Sequence, residues 1–131
     1  YHQQAEAIQW MKKYGVQREA WAPFGEGRGG LYSDPALTDI GRRHGRTAAQ
    51  VMLRWHLQRG VAVIPKSVHL ERMRENLNVF DFSLSEEEME SIAALDKKQS
   101  AFFSHQDPNM VEWFVEMVEQ RRHRQGGSKA E

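Results

Sequence analysis

The run Val61-Ala62-Val63-Ile64, closed by Pro65, constrains the fold more than any other stretch of the chain. It is apolar at every position. A strand with one wet face alternates, so an unbroken run predicts a parallel strand over 61–65 covered on both faces. Parallel neighbours need crossover connections, usually helices. Helical patterns flank the run on both sides, and this alternation predicts an α/β fold with parallel strands.

The flanking patterns are specific. A helix is predicted over 3–14, with Ile8, Met11 and Tyr14 on one stripe and Gly15 closing it. Arg18 to Ala22 reads as a short strand stopped by Pro23. Phe24 to Ser33 reads as a loop rich in glycine: Gly25, Gly27, Gly29 and Gly30. Asp34-Pro35 caps a short helix that turns Leu37 and Ile40 inward. Thr47-Ala48-Ala49-Gln50 is a capping box, opening a helix to Arg59 with Ala48, Val51, Met52 and Trp55 on its buried face. Leu70 to Leu77 is the next helix. A second capping box, Ser85-Glu86-Glu87-Glu88, precedes Met89, Ile92 and Leu95. Asp107-Pro108 starts a last helix, with Val111, Phe114, Val115 and Val118 expected inward. Residues 125–131 are expected to form a disordered polar tail.

Only two strands emerge, and two parallel strands do not make a stable sheet alone. The others are expected from a larger barrel or sheet, or from further chains. Tyr1 in place of Met, with a helix so soon after it, reads as a chain cut from something longer.

Composition excludes some functions. With 131 residues the chain can bury one core. Lys plus Arg equals Asp plus Glu, 18 each, which argues against a nucleic-acid or membrane-surface binder. No cysteine is present, so disulfides, thiolate metal sites and a cysteine nucleophile are excluded. The six histidines show no metal-ligand spacing and are expected at the surface or partly packed. No apolar run approaches a membrane span and no signal peptide is visible, so a cytoplasmic protein is expected.

The chemistry gathers where the apolar run ends. Lys66 and Ser67 follow Pro65, and a helix carrying Arg72, Glu75 and Asn76 follows them. Two cations, a hydroxyl and the free N–H groups of a helix N-terminus suit a phosphate monoester. This predicts a site for the phosphate end of a nucleotide.

These residues resemble a known family. Glu19-Ala20-Trp21-Ala22-Pro23-Phe24-Gly25 and the string from Ile64 to Asn76, continuing through Asn78-Val79-Phe80-Asp81-Phe82-Ser83-Leu84-Ser85, look like the C-terminal part of an aldo-keto reductase. Tyr1-His2-Gln3-Gln4 looks like the segment after that family's sixth strand. The resemblance covers roughly residues 1–95, and it is strongest to the bacterial 2,5-diketo-gluconate reductase subgroup. It implies the part of a (β/α)8 TIM barrel around strands seven and eight, incomplete as a barrel on its own. The whole of 1–131 is then one partial domain, with 101–124 as a C-terminal extension and helix.

The resemblance also implies NADP(H) as cofactor and a small carbonyl compound as substrate of the intact enzyme. By it, Lys66, Ser67 and Arg72 would hold the adenosine 2′-phosphate, and Val68 would offer a backbone contact. Glu75 and Asn76 would meet the adenine edge. Trp21 would lie against the nicotinamide, where many relatives carry tyrosine, and Ala22 and Phe24 would continue toward the pyrophosphate. Ala22 replaces a serine common in the family. The family's catalytic Asp, Tyr, Lys and His precede the point matching Tyr1, so no catalytic residue is assigned here and the isolated chain is expected to be inactive. Two readings follow. One is the cofactor-binding portion of an NADPH-dependent oxidoreductase that reduces aldehydes or ketones, completed by the missing N-terminal half. The other is an inactive fragment that binds a nucleotide or assembles with another copy of itself.

Overall fold

A computed structural model of the chain describes residues 2–98 and 107–126. Tyr1, residues 99–106 at the start of the expected extension, and 127–131 of the expected tail lie outside the described residues. The chain divides into two compact units, 1–101 and 102–131.

The first unit follows the predicted alternation. Helix α1 (Ala5–Lys13) leads to strand β1 (Arg18–Ala20). The glycine-rich segment Gly25–Ser33 forms short 3-10 turns broken by left-handed residues, among them Glu26, Gly27, Gly29 and Gly30. Helices α2 (Pro35–His44) and α3 (Ala48–Gln58) follow, then strand β2 (Val61–Val63), α4 (Leu70–Leu77) and α5 (Glu86–Ala93). The second unit contains α6 (Asn109–Gly126). Helix α6 runs through Gly126, so Gln125 and Gly126, expected in the tail, are helical.

Local chemistry sets the helix ends. The Asp34 carboxylate accepts from the N–H groups of Ala36 (2.9 Å) and Leu37 (3.4 Å), with Pro35 in the first turn. Thr47 and Gln50 form a reciprocal capping box at α3, as do Ser85 and Glu88 at α5. Gly45 ends α2 in the left-handed conformation that glycine adopts without cost.

The two strands are parallel, with Arg18 opposite Val61, Glu19 opposite Ala62 and Ala20 opposite Val63. The core lies between α2, α3 and α5: Leu37, Ile40, Ala48, Val51, Met52, Trp55, Leu84 and Ile92. Phe24, Leu31, Phe82, Met89 and Leu95 pack around it, half-buried.

Three expectations are corrected. The strands are shorter than the apolar runs, because pairing lasts only as long as both neighbours are extended. The run 61–65 is not covered on both faces: Val61 is buried, Ala62 and Val63 are half-buried and Ile64 is 50% exposed. Helix α3 packs on β2, but among the described residues the sheet has two strands. Helix α1 buries no residue, and Val111, Val115 and Val118 of α6 are exposed. Their apolar stripes are present, but the surfaces that would cover them are not supplied by the described residues.

Candidate functional site

Both predicted halves of the site leave the same end of the sheet. Beyond the paired residues the Ile64 N–H donates to the Ala20 carbonyl (3.0 Å), so the chains diverge only after that point. Trp21, Ala22 and Phe24 follow β1, and Lys66, Ser67 and Val68 follow β2. In parallel α/β architectures this C-terminal edge is where ligands bind.

Each residue has a definite setting. Trp21 is 67% exposed. The Ala22 carbonyl accepts from Gly25 N–H and the Phe24 carbonyl from Gly27 N–H, both at 3.0 Å, which bends the chain into the glycine-rich turns. The Phe24 ring packs against Tyr32 with centroids 5.7 Å apart. On the other side, the Ser67 hydroxyl accepts from His69 N–H (3.1 Å) and donates to the His69 carbonyl (3.3 Å). This turn sets His69 as the residue before α4, with no side-chain cap of its own. The first N–H groups of α4 therefore face outward without an intrahelical partner.

Lys66 and Arg72 are exposed, and neither takes part in an ion pair among the described residues. Val68 is 71% exposed. Arg72, Glu75 and Asn76 occupy positions i, i+3 and i+4 of α4 and so share a face. Glu75 is exposed and Asn76 half-buried. Arg72 also reaches the glycine-rich segment electrostatically. Burial raises the Tyr32 hydroxyl above its ordinary value, and the Arg72 guanidinium acts against that. The structure thus places the residues after β1 and β2 at one edge, and the α4 cation within electrostatic reach of the glycine-rich segment.

Two functional candidates escaped sequence reasoning. His56, on α3, meets the Pro23 carbonyl. Burial, with the Arg59 guanidinium, lowers its pKa from 6.5 to about 4, while the Pro23 carbonyl acts in the opposite sense. Its Nδ1 is buried with no hydrogen-bond partner among the described residues. Gln50 is 5% exposed and reaches α4. Its place in a capping box was legible, its second set of partners was not. No group of three His, Asp or Glu side chains capable of holding a metal occurs among the described residues. No helix among them is long and apolar enough to cross a membrane.

The donor set fits a phosphate ester: an ammonium, a guanidinium, a serine at the turn and open backbone N–H groups. The comparison with known proteins agrees with the resemblance read from sequence. Residues 27–97 match the model of the aldo/keto reductase family. The chain belongs to that family. An aldo-keto reductase of Mycolicibacterium smegmatis is 51% identical over 84 residues, covering 64% of this chain and 30% of that protein. A crystal structure of a Gox0644 mutant in complex with NADPH superposes with a TM-score of 0.73 at 41% identity, covering 79% of this chain and 37% of that one. A solved chain named as a 2,5-diketo-D-gluconic acid reductase B gives 0.74 at 36% identity, covering 81% and 37%. The chain thus spans about a third of the length of the relatives it matches. Aldo-keto reductases are built on a (β/α)8 barrel, and the described residues of this chain form two strands and their helices.

Proposed function

We propose that this chain is the strand-seven and strand-eight portion of an aldo-keto reductase barrel, and that it holds the adenosine phosphate end of NADPH. In the intact enzyme the activity would be NADPH-dependent reduction of a small aldehyde or ketone. Lys66, Ser67 and Arg72 would bind the 2′-phosphate, with Val68 contributing backbone. Glu75 and Asn76 would meet the adenine edge. Trp21, Ala22 and Phe24 would line the path toward the nicotinamide. The cofactor supplies the hydride, and these residues bind and orient it. Proton donation to the carbonyl oxygen would come from residues of the N-terminal half, so the isolated chain is not expected to turn over substrate.

The observation that carries this reading is the pair of exposed cations, Lys66 and Arg72, outside any ion pair among the described residues and flanking the open N-terminus of α4 at the C-terminal edge of the sheet. These two present their charge to solvent beside free N–H groups.

Titration with NADPH and NADH tests it. Lys66→Ala and Arg72→Ala should each weaken NADPH by roughly tenfold or more and leave NADH nearly unchanged, since charge-assisted hydrogen bonds contribute about 1.5–3 kcal/mol. Equal losses for both cofactors would remove the 2′-phosphate role.

A second reading has its own support in the open edges of the two-stranded sheet and the half-exposed Ile64. In it the chain is an inactive module that assembles with another copy. Intact mass under denaturing conditions separates the two. A second, larger polypeptide favours the enzyme, and a lone 15.2 kDa species favours the module.

A further inference from the structure

Helix α4 carries three of the proposed nucleotide contacts, yet it buries no residue. At eight residues it is far below the length at which an isolated helix is stable in water. Apolar packing reaches it only at its end, where Val79, just beyond the cap residue Asn78, is buried. Hydrogen bonds from α3 hold the helix itself.

Helix α3 turns Gln50, Arg54 and Gln58 toward the segment after β2. They are four residues apart and so share a face. Gln50 Nε2 donates to the Glu75 carbonyl (3.2 Å) and the Asn78 carbonyl (2.9 Å), at the C-terminal end of α4. Its Oε1 accepts from Thr47 N–H (3.0 Å), closing the capping box. Arg54 donates to the Val79 carbonyl (3.3 Å). Gln58 accepts from Leu84 N–H (2.7 Å) and donates to the Leu84 carbonyl (3.0 Å). Only Gln50 of the three holds the helix itself, and it does so from a buried position.

We propose that Gln50 is a positioning residue for the nucleotide site. One amide joins the start of α3 to the end of α4, and so fixes the height and rotation of Arg72, Glu75 and Asn76 relative to Lys66 and Ser67. The inference rests on the phosphate-site reading given above. The amide suits the task because it offers an oxygen and two N–H donors from one rigid plane, all of which are used. A displacement of the Arg72 guanidinium by about 1 Å is enough to lose a charge-assisted bond to phosphate. The adenine and ribose contacts common to both cofactors tolerate such a shift better.

Three variants of the full chain separate positioning from simple stability. Gln50→Met removes both donors at similar volume. Gln50→Glu keeps the capping-box oxygen but also lacks the donors. Thr47→Ala weakens the cap of α3 and leaves the Gln50 bonds to α4 intact. Each is titrated with NADPH and NADH by tryptophan fluorescence, and amide hydrogen exchange is followed over residues 70–79. Gln50→Met and Gln50→Glu should lower the NADPH-over-NADH preference roughly five- to tenfold and speed exchange in α4. Thr47→Ala should leave the preference as it is. A wild-type preference in both Gln50 variants, or the same loss in Thr47→Ala, would overturn the positioning role while leaving the phosphate site standing. A wild-type chain without any preference for NADPH would overturn the phosphate site itself, and the proposal with it.

Discussion

His56 is the residue whose burial has the clearest thermodynamic consequence. Its ring lies edge-on to Trp55, with centroids 4.8 Å apart, close to the Arg59 guanidinium and the Pro23 carbonyl. Burial, then Arg59, favours the neutral imidazole and takes its pKa from 6.5 to about 4. A depressed pKa means that the unfolded chain binds a proton before the folded one does. The contribution is therefore complete above pH 6.5 and is lost as pH falls toward about 4. At 1.36 kcal/mol per unit, the loss is at most about 3 kcal/mol across that window. Urea unfolding of the wild type should weaken progressively over this range. His56→Phe, which cannot titrate, should flatten the slope. An unchanged slope in the variant would place the acid sensitivity elsewhere.

Between elements, the polar part of the join of α2 to α5 centres on one buried carboxylate. Glu88 accepts from Arg43 (3.0 Å), lies 2.9 Å from His44 Nε2, and accepts from Ser85 N–H (3.0 Å). Burial alone would raise its pKa. The hydrogen bonds from His44, Ser85 and Arg43 outweigh it and hold the pKa below 4.5. The stability it provides is present above pH 4.5 and lost as pH falls further, below most of the His56 window. Glu88→Gln keeps the capping-box acceptor but not the charge, and should cost about 1–3 kcal/mol at neutral pH by urea unfolding. A loss under about 0.5 kcal/mol would show that Arg43, which is largely exposed, and His44 add little.

Legibility follows the same scale. The caps at Asp34, Thr47 and Ser85, and the inward stripes of α2 and α3, were readable because each depends on residues within one or two turns. That Lys66 and Ser67 lie between a strand end and the helix bearing Arg72 was readable because those elements adjoin in sequence. Ser85-Glu86-Glu87-Glu88 read as a capping box, and nothing local showed that Glu88 would meet Arg43 and His44 from more than forty positions away. Gln50's bonds to α4 were hidden for the same reason, and Leu53, fully buried on α3, falls outside the stripe that the sequence suggested. The paired strands are shorter than the apolar runs that predicted them because strand length depends on a partner that no sequence window contains.

For the whole molecule the question is what covers its apolar surface. Ile64, Val68, Leu70, Met73 and Leu77 are exposed on and after β2, and Trp10, Met11, Tyr14 and Val16 on and after α1. Exposure on this scale beside open strand edges is what a complete barrel would hide, and in its absence is a surface for association. A chain with net charge zero has little electrostatic repulsion to oppose this. The 131-residue chain, alone in solution, should therefore sediment as a concentration-dependent mixture rather than one monomer, and bind an apolar dye. Ile64→Lys places a charge at the end of the sheet, where it should reduce both association and dye binding without lowering the unfolding midpoint by much, because the side chain is half in water already. A monomer at all concentrations with no dye binding would mean that these faces are satisfied within the chain, and the partial-barrel reading would fail with them. Association that vanishes when an N-terminal barrel half is added would identify the open edges as the seam between two parts of one enzyme.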